Sequence, residues 1–146
     1  MCGIVGALVF WNGAFRVTEP YIAAMRDTMA HRGPDGFGVW VDPGGSVGFG
    51  HRRLSIIDLS ENASQPMCNE YRSLWVTFNG EIYNHAEIGE ELEKLGGHRW
   101  KTDHSDTEVI LHAFEQWGID CLERFRGMFA NTGTGMSGIT QCPSRT

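Results

Sequence analysis

Apolar and polar positions alternate in two rhythms along this chain. Cys2 to Phe10 is a run of small and β-branched apolar residues, the mark of a buried strand. Thr18 is placed to cap a helix, with Glu19 and Pro20 in its first turn. Ile22, Met25 and Met29 follow at helical spacing and are expected to face a core. His31-Arg32-Gly33-Pro34-Asp35-Gly36 is turn chemistry. Residues 37–41, 46–50 and 72–78 read as strands, the last alternating as a half-buried strand does. Asn84 with Glu87 makes a capping box for a helix that puts Ile88, Leu92 and Leu95 on one face and stops at Gly96-Gly97. Ser105 with Glu108 makes a second box, followed by Ile110, Ala113, Phe114 and Trp117 at helical spacing. Residues 124–130 predict one more strand. Strands, helices and strands in this order indicate an α+β layered architecture without internal repeats.

The last sixteen residues break this rhythm. Nine of them are Gly, Ser or Thr and no apolar face persists, which predicts a disordered tail over 131–146 behind a domain at 1–130.

At 146 residues the chain is long enough for one domain with a real core, and 41% hydrophobic with 21% charged residues is ordinary for a globular protein. A net charge of -6 argues against a nucleic-acid partner, which needs a basic face. No run approaches a membrane span, and the N-terminus lacks the basic start of a secretory signal, so a cytoplasmic protein is expected. Cys2, Cys68, Cys121 and Cys142 contain no CxxC pair and read as reduced thiols. The six histidines form no HxxxH or HExxH pair, so no metal site is expected.

Cys2 carries the first chemical signal. Removal of Met1 would leave a thiol and a free α-amine on one residue. An α-amine titrates near neutrality, so it can act as a base while cysteine supplies the strongest common nucleophile. A cysteine at position two is also, more simply, a small buried hydrophobe.

Five segments add to it: CGIVG at 2–6, HRGPDG at 31–36, HRRLSIIDLS at 51–60, NGEIYNH at 79–85 and SDTEVILHAF at 105–114. Together and in this order they resemble class II glutamine amidotransferases over about residues 2–130, the glutamine-hydrolysing asparagine synthetases looking most similar. The resemblance implies the N-terminal nucleophile hydrolase fold, two stacked antiparallel sheets between helical layers (αββα), here incomplete at the C-terminus. It implies Cys2 as nucleophile, with Asn79 and the Gly80 N–H as the oxyanion hole. Arg53 matches the position that grips the glutamine carboxylate, which a planar guanidinium can do through two parallel bonds. Asp106 matches the partner of the α-ammonium, and lies in a first helical turn where the dipole favours its charge. Ile56 and Ile57 match positions lining the pocket, and Glu81 matches a further glutamine contact. Singly, each residue has a plainer reading. Arg53 can be a surface arginine, Asn79-Gly80 a type I′ hairpin turn, and Asp106 a favourable helix-start charge.

The implied activity is hydrolysis of glutamine to glutamate and ammonia through a Cys2 thioester, the ammonia passing to an asparagine-synthetase-like amidation. No SGGxDS-type pyrophosphate loop or Walker A sequence is present, so ATP and magnesium are expected only for an absent synthetase domain or subunit, and no cofactor for this one. The resemblance stops after Ala130. A strand at 125–130 without successors would leave an uncovered edge and expose Phe125, Met128 and Phe129, which predicts self-association. The alternative is a catalytically incompetent glutamine-binding or regulatory remnant.

Overall fold

The computed structural model describes residues 2–10, 15–54, 64–102, 105–135 and 138–142. The chain divides into two compact units, Met1–Pro66 and Met67–Thr146. Each contains one antiparallel sheet and at least one helix, so the α+β class read from the sequence holds. Among the described residues no helix is long and apolar enough to cross a membrane.

In the first unit the sheet order is β1-β3-β2, with β1 at Gly3–Leu8, β2 at Gly36–Val41 and β3 at Val47–Arg53. The register runs Gly3↔Arg52 to Leu8↔Val47 on one side and Gly36↔Arg53 to Val41↔Gly48 on the other. The end of the central strand is therefore flanked by the starts of both neighbours. Helix α1, Glu19–Asp27, packs on this sheet. The Thr18 hydroxyl accepts the Tyr21 N–H, as the capping signal predicts, and Ile22 is fully buried. Met25 and Met29 are only half-buried, whereas Arg26 is buried and stacks its guanidinium 4.4 Å from the Phe37 ring.

In the second unit the order is β4-β5-β6-β7: Met67–Cys68, Trp75–Ile82, Gly127–Gly135 and Gly138–Cys142. Helices α2, His85–Leu95, and α3, Asp106–Trp117, pack on each other, and α3 packs on β5. The core joins Val76, Phe78 and Ile82 of β5 to Ile88, Leu92, Val109 and Ala113 of the helices and to Phe125 and Phe129. Burying side chains of this size contributes on the order of 2 kcal/mol each.

Four expectations are corrected here. Residues 131–135 and 138–142 are strand, not a disordered tail: Thr132 and Thr134 are β-branched and pair with Thr77 and Trp75. That outweighs a composition rich in Gly and Ser. Accordingly β6 has neighbours on both sides, and Phe125 and Phe129 are buried while Met128 is 62% exposed. Asn84 does not cap α2 with its side chain. Its amide instead accepts Arg126 N–H at 2.8 Å and donates to Arg124 O at 3.0 Å, tying the helix start to the segment before β6. Leu95, the last residue before Gly96, is 54% exposed because the helix ends beneath it.

Candidate functional site

The sequence-predicted residues fall into two groups, each brought together within its own unit. In the first, the β1–β3 register sets Cys2 beside the end of β3. Its half-buried Sγ accepts the Leu54 N–H at 3.4 Å and lies 3.9 Å from Leu54 O. Arg53 is the residue before. The backbone at Arg53 is held from the other flank by the turn at 31–36: Asp35 N–H donates to Arg53 O at 3.0 Å. A Cβ on Gly33 would fall 2.4 Å from the Arg52 carbonyl carbon and 2.6 Å from Arg53 N, so only glycine lets this turn close on that peptide. The two adjacent arginines differ in duty. Arg52 is tied to Asp27 at 2.6 Å, beside the Arg26–Asp27 pair. Ile56 and Ile57 lie outside the described residues.

In the second unit Asn79, Gly80 and Glu81 lie inside β5, opposite Ala130, Phe129 and Met128. The hairpin-turn reading of Asn79-Gly80 is thereby excluded. Val76, Phe78 and Ile82 enter the core, which leaves Asn79 and Glu81 on the other face with Thr77. Gly80 has φ +156°, and a Cβ there would meet Met128 O at 2.3 Å and Phe129 Cα at 2.4 Å. Glycine is obligatory where these strands approach.

The direction of the Gly80 N–H follows from its neighbours. Leu74 exchanges bonds with Asn69 on the β4 side, accepting from Asn69 N–H and donating to Asn69 Oδ1 at 3.1 Å. Tyr83 N–H donates to Arg126 O, on the β6 side, at 2.7 Å. Backbone groups alternate along an antiparallel strand, so those of Gly80 and Ile82 point away from β6. β4 pairs only with Trp75 and Val76, so among the described residues no strand covers this edge at Gly80. At Ile82 the edge is occupied by Asp106, whose carboxylate is drawn to the Ile82 and Thr107 backbone N–H groups. His85 Nδ1 lies 2.8 Å from Ile82 O at the same place.

Burial raises the Asp106 pKa, opposed less strongly by those N–H groups, by His85 and by the Thr107 hydroxyl. No lysine or arginine among the described residues is paired with it. Burial makes the charged form of this carboxyl costly unless a cation or a proton meets it.

Sequence reasoning missed His85, Glu108 and His112. Glu108 is 3% exposed in the first turn of α3. Its carboxyl is lowered to about 2: burial pushes it up, and the nearby His112 together with bonds from the Thr102 hydroxyl and the Lys101 and Thr102 N–H groups more than reverses this. His112 is raised, burial being outweighed by Glu108 and Glu115. His98, His112 and Glu115 bring potential metal-ligand atoms within 4.8 Å of one another. Within this group Glu115 Oε2 lies 2.8 Å from His112 Nδ1 and 3.5 Å from His98 Nδ1. The spacing from 98 to 112 gives no sign of it, because folding rather than one helix face brings them together.

Comparison with known proteins bears on the whole arrangement. The family described as "Glutamine amidotransferase domain" matches residues 1–132. The chain is 46% identical over 133 residues to asparagine synthetase [glutamine-hydrolyzing] 1 of Bacillus subtilis (strain 168), covering 89% of this chain and 20% of that protein. It is 38% identical over 130 residues to a probable asparagine synthetase [glutamine-hydrolyzing] of Dictyostelium discoideum, covering 89% and 22%. The chain thus spans about a fifth of the length of these relatives. Among solved structures, glutamine phosphoribosylpyrophosphate amidotransferase from B. subtilis superposes with TM-score 0.51 at 23% identity, over 63% of this chain and 22% of that one, a likeness of fold. The chain belongs to the class II glutamine amidotransferase domain family, akin to the domains of glutamine-hydrolysing asparagine synthetases.

Proposed function

We propose that this chain hydrolyses glutamine to glutamate and ammonia through a thioester on Cys2, and that the ammonia is used by an asparagine-synthetase-like amidating domain or subunit. Arg53 grips the α-carboxylate and Asp106 the α-ammonium, with Ile56, Ile57 and Glu81 along the substrate. The Cys2 thiol loses its proton to the α-amine freed by removal of Met1, and Sγ bonds to the side-chain amide carbon. The amide oxygen becomes negative and is met by the Asn79 amide and the Gly80 N–H. The C–N bond then breaks, and the departing nitrogen leaves as ammonia after taking the proton from the α-amine. Water adds to the thioester carbon, glutamate is released and the thiol is restored. No cofactor enters these steps; ATP and magnesium belong to the amidation.

The observation that carries this reading is the edge of β5. Gly80 and Ile82 direct their N–H groups to the same side, roughly 7 Å apart along the strand. Asp106 stands at the Ile82 end, with no lysine or arginine among the described residues paired to it. This spacing is of the order that separates the ammonium of glutamine from its side-chain amide, so one extended substrate suits both groups.

The test is ammonia release by the purified chain. Cys2→Ala is expected to abolish turnover and keep glutamine binding. Release at the original rate by Cys2→Ala places the nucleophile elsewhere. Binding without turnover in the unaltered chain favours the incompetent glutamine-binding remnant.

A further inference from the structure

Glu108 is an acidic side chain buried where an exposed one would serve a helix N-terminus as well. Its bonds explain the burial. Oε1 accepts Lys101 N–H at 2.7 Å, and Oε2 accepts Thr102 N–H at 2.8 Å and the Thr102 hydroxyl at 2.5 Å. All three donors precede the helix, and none of its own first-turn amides is used. The same Thr102 Oγ1 accepts Ser105 N–H at 2.9 Å, while Ser105 Oγ accepts Glu108 N–H at 3.2 Å and Ser105 O accepts Val109 N–H at 3.0 Å. A closed ring of bonds thus fixes Ser105, the residue directly before Asp106.

The ring is anchored from behind. His112 Nε2 lies 3.8 Å from Glu108 Oε1, and His112 Nδ1 is 2.8 Å from Glu115 Oε2. Glu115 Oε1 accepts Asn69 Nδ2 at 2.7 Å, and Asn69 Oδ1 holds the Ser73 and Leu74 N–H groups at the entry to β5. The start of α3 is thereby tied to the strand whose far end, at Ile82, Asp106 meets. Each carboxylate oxygen is used, and neutral glutamine at 108 would present N–H to an N–H donor.

We propose that Glu108 is a positioning residue for the recognition of glutamine's α-ammonium, holding the backbone before α3 so that Asp106 stands at the β5 edge. This rests on the role of Asp106 given above.

Three proteins in a Cys2→Ala background test it: the parent, Asp106→Asn and Glu108→Gln. Calorimetry measures the affinity of each for glutamine and for glutaramate, which is glutamine without its α-ammonium. Amide hydrogen exchange reads Lys101 and Thr102 directly. The parent is expected to prefer glutamine by about tenfold, the size of one charge-assisted hydrogen bond. Both substitutions should bring the ratio near one with glutaramate affinity changed less than about twofold. Glu108→Gln should also deprotect Lys101 and Thr102 while Leu92 and Ala113, inside their helices, stay protected. Thr102→Val, which removes only the hydroxyl link, should lower the ratio in part and serves if Glu108→Gln does not fold. A Glu108→Gln or Thr102→Val protein that keeps the full preference, or loses both ligands alike, overturns the proposal. A parent without preference, or an Asp106→Asn protein that retains it, refutes the ammonium role and the positioning role with it. Exchange still reports whether the clamp exists, so the two failures are told apart.

Discussion

The thiol of Cys2 takes the N–H of Leu54 at 3.4 Å, against the residue that follows Arg53. One register, Gly3↔Arg52, puts the proposed nucleophile and the guanidinium expected to grip the substrate at the same end of one sheet. A strand slipped by one residue would send every side chain to the opposite face. The placement therefore depends on β1 being anchored along its length.

Arg53 and Arg52 should separate binding from stability. Arg53→Ala is expected to weaken glutamine affinity by ~2–5 kcal/mol, and Arg53→Lys to recover only part of it, because an ammonium lacks the planar fork. Arg52→Ala should instead lower Tm through loss of the Asp27 pair with KM little changed. Equal KM effects from both substitutions would contradict the division.

Gly80→Ala should damage fold and catalysis together. The added methyl meets Met128 O and Phe129 Cα at under 2.5 Å, so β5 and β6 must part. Overpacking of this kind costs roughly 1–3 kcal/mol, more where backbone must move. Asn79→Ala adds no atom and should reduce kcat by about 10²–10³-fold with little change in Tm. A Gly80→Ala protein with unaltered Tm and activity would show that the strands are not closed as described.

Glu108 and His112 should give stability a window in pH. Glu108 faces His112, Thr102 and the Lys101 backbone; His112 faces Glu108, Glu115, His98 and Trp100. The Glu108 carboxyl falls from 4.5 to about 2 on folding, so its contribution is complete above 4.5 and is lost as pH falls toward 2. It is on the order of 3 kcal/mol. His112 is raised above 6.5, so its contribution is complete below that value and is lost as pH rises through the higher one. Urea unfolding at several pH values should show the joint contribution greatest between 4.5 and 6.5 and the acid limb missing in Glu108→Gln. A Glu108→Gln profile parallel to the parent at acid pH would contradict this.

What the sequence disclosed follows from how local each signal is. The α3 cap, the β1 strand and the end of α2 at Gly96 depend on neighbours a few residues away, and all were legible. Asn84 was misread because its amide bonds residues some forty positions on, where a capping pattern has no view. Thr132 and Thr134 were hidden among glycines, and only pairing with β5 makes them strand. The site residues were named by motif resemblance, yet Asn79-Gly80 alone pointed to a turn and lies within a strand. Glu108 looked like a capping-box acid; its reach to Lys101 and Thr102 is a loop contact no helical spacing encodes.

Chemistry at the thiol of a terminal Cys2 is tested most directly by an intact mass measured on active protein. Protein releasing ammonia should lack Met1, and a sample acid-quenched during turnover should carry a glutamyl group that peptide mapping places on Cys2. Full-length protein with Met1 retained and undiminished ammonia release, or a glutamyl group on another residue, would contradict it.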